Sequence, residues 1–416
     1  MADRLNRRAF LSALGVGPAA ALVWHGAAGG APATLSEDEL IAARKRARQR
    51  KRRIIMNNDG NDANAPGPGE ALSREQFLSR RTAPLVGSQV DAIFYCTGVF
   101  NSYTHRSEES EQRKNALTES GGDSLEIMTE FGHANGMEVF WSMRMNDTHD
   151  SSPDRVLCQW KQDHPECLVG TQGQKFPYGC GRWSSVDYGM EVVRDKVFRI
   201  LEDVCSRYDV DGIEMDFFRH PVLFRPQMTG DPVTEEHCAL MTGLVRRVRA
   251  MTERIGRERG RPLLIAVRVP DSVGYCKAMG IDLVGWLEED LIDMVTGAGY
   301  FKLEPWENLA ALGRKYDVPA YACLVSRRIM DGGQPEAATA LQVWRGEALN
   351  AWKAGVSGIY TFNRFDPEDP IFRELGDPAL LATLEHVDQT AYVANMWSRP
   401  EKWLKGGLEY LREPSE

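Results

Sequence analysis

The chain has 416 residues, of which 43% are hydrophobic and 26% charged, and it carries a net charge of -9 at pH 7. This composition excludes a disordered chain and suits one large α/β domain or two small ones. The acidic balance argues against a nucleic-acid partner, because a phosphate backbone selects basic patches.

Residues 1–33 have the pattern of an export signal. Arg7 and Arg8 precede a mildly apolar stretch, and Ala31-Pro32-Ala33 offers a cleavage site of small residues. Gly and Pro interrupt the stretch, which is too weakly apolar for a stable membrane span; an uncleaved anchor is the alternative. We predict a twin-arginine signal peptide, recognition by the twin-arginine export machinery, and a periplasmic or secreted mature protein.

Residues 34–52 form a basic, helical run. Ser36 and Glu39 have the spacing of a capping box, and lysines and arginines dominate residues 44–52. Because a run of like charges is usually a solvated face, we predict a linker helix. An arm that binds nucleic acid or acidic envelope polymers is the alternative.

From residue 53 onward, short apolar strand patterns alternate with helical patterns, which is typical of a parallel sheet wrapped by helices. Strands are predicted over residues 53–58, 90–97, 137–146, 211–218, 263–270, 293–300, 319–325 and 357–365. Helices are predicted over residues 73–81, 123–135, 191–208, 234–259, 306–316 and 335–354. Eight strands that alternate with helices favour a single (β/α)8 TIM barrel rather than an open doubly wound sheet. The barrel, with a helical tail, would span residues 53–416.

Residues 147–188, after the third strand, form a connection much longer than usual, which is typical of a functional loop. Three of the eight cysteines, Cys158, Cys167 and Cys180, lie in this loop and offer a local disulfide. No pair has CxxC spacing, so no zinc or redox motif is predicted.

The fourth strand carries two acids on one face. In residues 208–221, YDVDGIEMDFFRHP, apolar side chains alternate with Glu214 and Asp216. A carboxylate face suits the C-terminal mouth of a parallel barrel, where barrel enzymes keep their chemistry. Asp216, at the end of the strand, is therefore the predicted catalytic carboxylate; a structural ion pair is the alternative for both acids.

This stretch resembles glycosyl-hydrolase-like family 10. A helical run, VVRDKVFRILEDVCSRY, leads into DVDGIEMDFFRHP, and members of the family have an "evR" pattern leading into "YdvDGIhlDyfRyP". Glu214 stands where relatives often show His, and His220 where they often show Tyr. The resemblance implies a TIM-barrel glycoside hydrolase that cleaves a polysaccharide or oligosaccharide without an organic cofactor.

Strand alternation also predicts the surroundings of the two acids. Arg144 on the third strand and Arg268 on the fifth should point inward and bracket Glu214 at about one strand spacing on either side. Two arginines would keep Glu214 ionised and lower its pKa, so Glu214 is predicted to be structural. Asp216 would lie one layer nearer the mouth.

A two-carboxylate mechanism needs a second acid that gives a proton to the leaving oxygen. Asp271, Glu304 and Asp147 are the candidates for this role. Asp271 is favoured because the fourth and fifth strands are neighbours, so that both acids would end their strands at the same height. Asp216, Asp271 and Glu304 form the predicted catalytic set.

Amide, charged and aromatic side chains surround the same mouth. Amides and charged groups bind sugar hydroxyls, and aromatic rings stack on pyranose faces. The predicted substrate-binding residues are Arg219, Asp59, Asn57, Arg144, Asn146, Asp147, His149, His220, Arg268, Tyr300 and Asn363. For Arg219, a structural salt bridge is the alternative. The loop NDGND, residues 58–62, resembles a calcium loop but lacks the bidentate Glu, so a polar turn is favoured and no metal is predicted.

Two other functions remain open at this point. A barrel of this kind can bind carbohydrate without turnover, since fold does not fix activity. A metal-dependent hydrolase could instead use Asp59, His149 and Asp147, although His149 lacks a HExxH-type partner.

Overall fold

A closed barrel of eight parallel strands forms the centre of the protein, in a computed structural model that describes residues 34–64, 70–325, 337–387 and 399–412. The strands are β1 (Ile54–Asn58), β2 (Val90–Tyr95), β3 (Glu138–Arg144), β4 (Gly212–Asp216), β5 (Leu264–Val269), β6 (Met294–Gly297), β7 (Ala320–Val325) and β8 (Gly358–Phe362). Consecutive strands pair, and β1 closes the barrel against β8 with Ile54 opposite Ile359. The predicted (β/α)8 barrel is confirmed.

Helices surround this barrel. The main ones are α1 (Glu37–Arg48), α2 (Arg74–Arg81), α3 (Ser124–Ala134), α4 (Glu191–Arg207), α5 (Glu235–Arg259), α6 (Leu283–Glu288), α7 (Trp306–Tyr316), α8 (Ala337–Ala354) and α9 (Ile371–Glu374). Helices α2 and α3 begin where the sequence offers caps, because the side chains of Ser73 and Asp123 accept hydrogen bonds from the first-turn backbone. In the described ranges, no helix has both the length and the apolar character that a membrane crossing requires.

Helix α1 packs against the barrel rather than forming a solvated linker. The capping box of Ser36 and Glu39 is present, and Arg44 and Arg48 in the last turns are only 4% and 3% exposed. Nη2 of Arg48 lies 2.6 Å from Oδ1 of Asp290, just before β6. Arg44 and Arg48 are buried because acids at the N-terminal end of the barrel compensate their charge, whereas Lys45 and Arg46 stay exposed.

The connections at the C-terminal ends of the strands are the longest. After β2, three two-residue strands, Gly98–Val99, Ser102–Tyr103 and Glu111–Gln112, form a small sheet that the sequence did not predict. After β3, the predicted long loop folds around the short helix Gln159–Asp163 and an isolated bridge between Leu168 and Val186. Further short helices are Ala116–Glu119, Arg225–Thr229, Val273–Ala278, Pro378–Leu381 and Pro400–Trp403.

All eight cysteines are free thiols, so the local disulfide that the three loop cysteines could have formed is not present. Cys167 is buried in the loop, whereas Sγ of Cys180 lies 3.7 Å from the carbonyl oxygen of Lys402 in the C-terminal segment. The loop holds its shape through polar contacts instead: the buried Nζ of Lys161 lies 2.8 Å from Oδ2 of Asp150.

The C-terminal segment, residues 399–412, crosses the barrel mouth. Trp403 is fully buried there, and its ring stacks at 6.4 Å between centroids on both His220 and Tyr300. The hydroxyl of Tyr275 donates to the carbonyl oxygen of Pro400 at 3.0 Å, and Nε2 of Gln227 donates to that of Trp403 at 3.2 Å. The tail therefore forms one wall of the mouth. The predicted signal, residues 1–33, lies outside the described residues.

Candidate active site

Asp216 is the last residue of β4 and is held by three N–H donors at the barrel mouth. Its Oδ1 accepts hydrogen bonds from the backbone N–H of Phe218 at 2.9 Å and of Arg219 at 3.0 Å. Its Oδ2 accepts one from Nη2 of Arg268 at 2.7 Å. The backbone bonds arise because the chain turns sharply after the strand, as aspartate in a turn favours. The carboxylate is therefore fixed in one orientation at the end where barrel enzymes react.

The strand register corrects the prediction that two arginines bracket Glu214. Arg144 and Arg268 both lie opposite Asp216, whereas the neighbours of Glu214 are Ser142 and Ala266. Alternation assigned all of these side chains to the inward face, which is right, but it does not fix the height of one strand against the next. The prediction was wrong by one layer, and the arginines lie with the acid nearer the mouth.

Glu214 occupies a different environment, directly below Asp216. It is fully buried; its Oε2 accepts hydrogen bonds from the hydroxyls of Ser142 and, at 3.0 Å, Tyr360, and its Oε1 has no partner. Burial and the negative charge of Asp216 raise the pKa of Glu214 to about 8. This shift is opposite to the predicted one. Glu214 therefore carries a proton at neutral pH.

Beside Asp216 lies a group of charged side chains that we call the mouth cluster: Arg144, Asp147, His149, Arg182 and Arg219. Nη1 of Arg144 lies 2.9 Å from Oδ2 of Asp147, and Nδ1 of His149 lies 2.6 Å from Oδ1 of the same carboxylate. Nη2 of Arg219 lies 2.8 Å from Nε2 of His149, and Arg182 donates to the carbonyl oxygen of Thr148 at 3.0 Å. The cluster thus links the ends of β3 and β4 with the long loop.

The charges in the mouth cluster perturb one another. Burial would raise the pKa of Asp147, but the hydrogen bond from His149 and the charge of Arg144 lower it well below its usual range. Burial and the like charge of Arg144 lower the pKa of Arg219 to about 9. Asp147 is consequently ionised and unsuited to give up a proton.

Asp147, His149 and His220 offer ligand atoms within 4.8 Å of one another. Two imidazoles and one carboxylate are a donor set that binds several transition metals. Here, however, Arg219 donates to His149 and Arg144 binds Asp147, so a cation would have to displace guanidinium contacts. The third ligand of this group is His220, whereas the sequence predicted Asp59 together with His149 and Asp147.

Asp271 lies farther along the barrel axis than predicted. The register sets Asp216 level with Arg268, three residues before Asp271, so the two acids do not end their strands at the same height. Asp271 accepts hydrogen bonds from the backbone N–H of Leu303 at 2.9 Å and of Glu304 at 3.0 Å. Burial raises the pKa of Asp271, which is the direction a proton donor needs.

Glu304 stands beside Asp271 in the loop after β6. It is half-buried, and its Oε2 accepts a hydrogen bond from Nδ2 of Asn308 at 2.8 Å. The structure therefore brings both predicted partner acids together in one loop contact. Their assignment as proton donors stays a prediction.

Three other predicted polar residues are held by contacts within the protein. Asn146 is buried, and it joins β3 to the long loop by exchanging hydrogen bonds with the backbone of Val186 at 2.8 and 3.0 Å. Asn57 is also buried, with its Nδ2 3.4 Å from the carbonyl oxygen of Phe94. Asp59 pairs with Arg81 within a polar turn, as favoured for the NDGND loop.

Aromatic rings and arginines line the other side of the mouth. Cζ of Arg219 lies 5.7 Å from the ring centroid of Tyr300 and 6.0 Å from that of Phe362, and Cζ of Arg268 lies 4.1 Å from the latter. Asn363, which directly follows β8, is half-buried with a positive φ of 57°. The sequence reasoning missed Phe362, although its period-two spacing from Tyr360 on β8 signals the inward face.

Arg182 was also missed. It lies in the long loop, where no periodicity indicates which side chains face the mouth. Only the fold of the loop, with Arg182 donating to the backbone of Thr148, brings it to the cluster.

Part of the sequence matches one protein family. Residues 93–231 match the family described as Glycosyl hydrolase-like 10. The matched segment runs from within β2 to beyond β4, so it contains Asp216, Glu214 and the whole mouth cluster. No curated protein sequence matches the chain.

Several solved structures align with the chain. The PgaB (BpsB) glycoside hydrolase domain from Bordetella bronchiseptica aligns over 79% of this chain and 99% of its own, with 12% identity and a TM-score of 0.51. Alpha-L-fucosidase isoenzyme 2 from Paenibacillus thiaminolyticus aligns over 80% and 49%, with 12% identity and a TM-score of 0.46. The catalytic domain of psychrophilic chitinase B from Arthrobacter TAD20 aligns over 84% and 99%, with 10% identity and a TM-score of 0.46. At 12% identity, the likeness to the PgaB domain shows the fold alone.

Proposed function

We propose that this protein is a glycoside hydrolase that cleaves a polysaccharide or oligosaccharide by a two-carboxylate mechanism. The observation that carries the proposal is Asp216, an inward carboxylate at the C-terminal end of β4, oriented by Arg268 and by two backbone N–H groups. It lies inside the segment that matches the glycosyl-hydrolase-like family. Position, orientation and family resemblance point to the same residue.

Glycoside hydrolysis needs one ionised carboxylate and one protonated acid on either side of the scissile bond. We assign Asp216 as nucleophile or base, and Asp271, whose pKa burial raises, as the acid that protonates the leaving oxygen. Glu214 below Asp216 holds a proton, so the pair carries a single negative charge. That charge is available to stabilise the positive character that develops on the sugar ring.

The test is hydrolysis of a panel of polysaccharides and oligosaccharides, followed by the appearance of reducing ends. The wild type should release them from at least one glycan, and Asp216→Asn should not, at a temperature where circular dichroism shows that the variant is folded. Asp195→Asn is the matched control, because Asp195 is a surface carboxylate on α4 that pairs with Arg247. Wild-type turnover by Asp216→Asn would end this assignment. Binding of a glycan without any release would make the protein a carbohydrate-binding barrel.

A metal-dependent hydrolase is the second candidate, supported by the convergence of Asp147, His149 and His220. Elemental analysis of the purified protein tests it directly. A stoichiometric transition metal that His149→Ala removes, together with activity that a chelator abolishes, would favour this candidate over the two-carboxylate mechanism.

We further propose that the twin-arginine sequence exports the protein to the periplasm or beyond. Arg7 and Arg8 before a weakly apolar stretch support this proposal.

A further inference from the structure

We propose that the mouth cluster binds an anionic substituent of the sugar, a carboxylate or a sulfate ester, and so selects an acidic glycan. This inference rests on the proposed glycoside hydrolase function and names the class of its substrate. It is carried by an excess of positive charge, by buried N–H groups without partners, and by the position of Arg219 beside Asp216.

The first observation is the charge of the mouth. Four guanidinium groups, those of Arg144, Arg182, Arg219 and Arg268, share two carboxylates, Asp147 and Asp216. Asp59 and Asp150 also act on Arg144 and Arg182, but each of these acids brings a further cation with it, Arg81 or Lys161, so the excess is unchanged. Glu214 carries a proton and adds no charge. The mouth therefore has more fixed positive than negative charge, although the chain as a whole is acidic.

The second observation is unused hydrogen-bonding capacity. Nε of Arg219, and Nε and Nη1 of Arg268, are buried and have no hydrogen-bond partner. A buried donor without a partner is costly, and a ligand that accepts from it removes that cost. The planar fork of a guanidinium group matches the oxygens of a carboxylate or sulfate. Arg219 is the half-buried member of this pair, so a ligand in the mouth can reach it.

The third observation is how Arg219 is connected to the reacting carboxylate. Its backbone N–H donates to Oδ1 of Asp216, while its side chain extends to Nε2 of His149. The side chain of His149 is 35% exposed, so the contact opens toward solvent. An anion bound by the guanidinium group of Arg219 would hold the attached sugar ring at a fixed distance from Asp216.

The same charges make the mouth a poor cation site. A divalent ion at Asp147, His149 and His220 would face Arg144, Arg182 and Arg219 at close range. Like charges in a water-poor environment repel strongly. The electrostatic field favours an anion in this space.

The test measures ligand-induced thermal stabilisation with three probes: sodium glucuronate, glucose 6-sulfate and glucose, all at the same ionic strength. A ligand that binds only the folded protein raises the unfolding temperature in proportion to its occupancy. We expect stabilisation by glucuronate, glucose 6-sulfate or both, and none by glucose. Whichever acid is effective identifies the substituent as a carboxylate or a sulfate ester.

Arg219→Gln removes the guanidinium group while keeping a long polar side chain, and it should weaken binding of the effective acid by about tenfold or more. Arg247→Gln is the matched control, since Arg247 lies on the outer face of α5 and pairs with Asp195. Should Arg219→Gln fail to fold, Arg182→Gln provides the same comparison, because Arg182 belongs to the mouth cluster but lies in the long loop after β3 rather than next to β4.

The inference is overturned if neither acid stabilises the wild type, if glucose does so equally, or if both arginine variants bind as the wild type does. These outcomes are separable from a failure of the proposed function, since binding requires no turnover. Acid binding without cleavage of any glycan would refute the hydrolase and leave the anion site. Cleavage of neutral glycans without acid binding would refute the anion site and leave the hydrolase.

Discussion

Nη2 of Arg268 lies 2.7 Å from Oδ2 of Asp216, and this ion pair joins two neighbouring strands inside the barrel mouth. Both side chains are almost completely removed from water. Two charges buried in this way depend on each other, because either one alone would be an uncompensated charge in a medium of low polarity. The residue proposed to react with the substrate is thus also part of the framework that holds β4 against β5.

A double-mutant cycle should expose this dependence. We expect Asp216→Asn and Arg268→Met each to lower the free energy of unfolding by about 3–5 kcal/mol, because each leaves one buried charge unpaired. The double variant should be clearly more stable than the sum of the two losses predicts. The measurement is urea unfolding followed by circular dichroism. Strictly additive losses would mean that the two groups do not interact.

Glu214 should make stability depend on pH. Its folded-state pKa, about 8, lies above the ordinary value of 4.5, so between these values the folded protein holds one proton more than the unfolded chain. The free energy of unfolding should therefore fall as pH rises through this window, by at most about 1.4 kcal/mol per pH unit. The stabilisation that Glu214 contributes has its full value below pH 4.5.

Glu214→Gln, which cannot titrate, should remove this decline while keeping the hydrogen bonds to Ser142 and Tyr360. Thermal unfolding from about pH 5 to about pH 9 measures the difference between the two proteins. Parallel pH profiles for the wild type and the variant would show that Glu214 does not hold the extra proton.

The proton donor can be identified by its effect on the pH–rate profile. With a substrate found in the glycan panel, Asp271→Asn should lower turnover by about 10²–10⁴-fold and abolish the alkaline limb, because Asp271 must be protonated to act. Glu304→Gln, next to it in the same loop contact, is the control and should leave the alkaline limb in place. If the two variants behave in the opposite way, the donor is Glu304.

Export can be tested independently of catalysis. Replacing Arg7 and Arg8 by lysine keeps the charge but removes the twin-arginine pattern, so precursor should accumulate in the cytoplasm. Immunoblots of cytoplasmic and periplasmic fractions measure the distribution. Arg4→Lys is the control, because it lies outside the pair. Normal export of the double variant would contradict the proposal.

The sequence predicted the strands and their inward faces because the period of two is a property of each strand alone. It did not predict that Arg144 and Arg268 lie level with Asp216, because the stagger between strands depends on closure of the whole barrel. The pKa of Glu214 was predicted in the wrong direction for that reason. Arg182 reaches the mouth from an irregular loop and Trp403 from the end of a short helix, and no local pattern determines the paths of these segments.

Closure of the barrel and its C-terminal wall imposes an order on biosynthesis. Oγ1 of Thr361 on β8 contacts the carbonyl oxygen of Ile55 on β1 across 306 residues of sequence, and Trp403 follows still later. On the ribosome, one edge of β1 and one edge of the most recently made strand stay unpaired until β8 emerges. His220 and Tyr300 stay uncovered until residue 403 has been translated. Chaperone dependence during synthesis should therefore last at least until residue 403 has emerged from the ribosome.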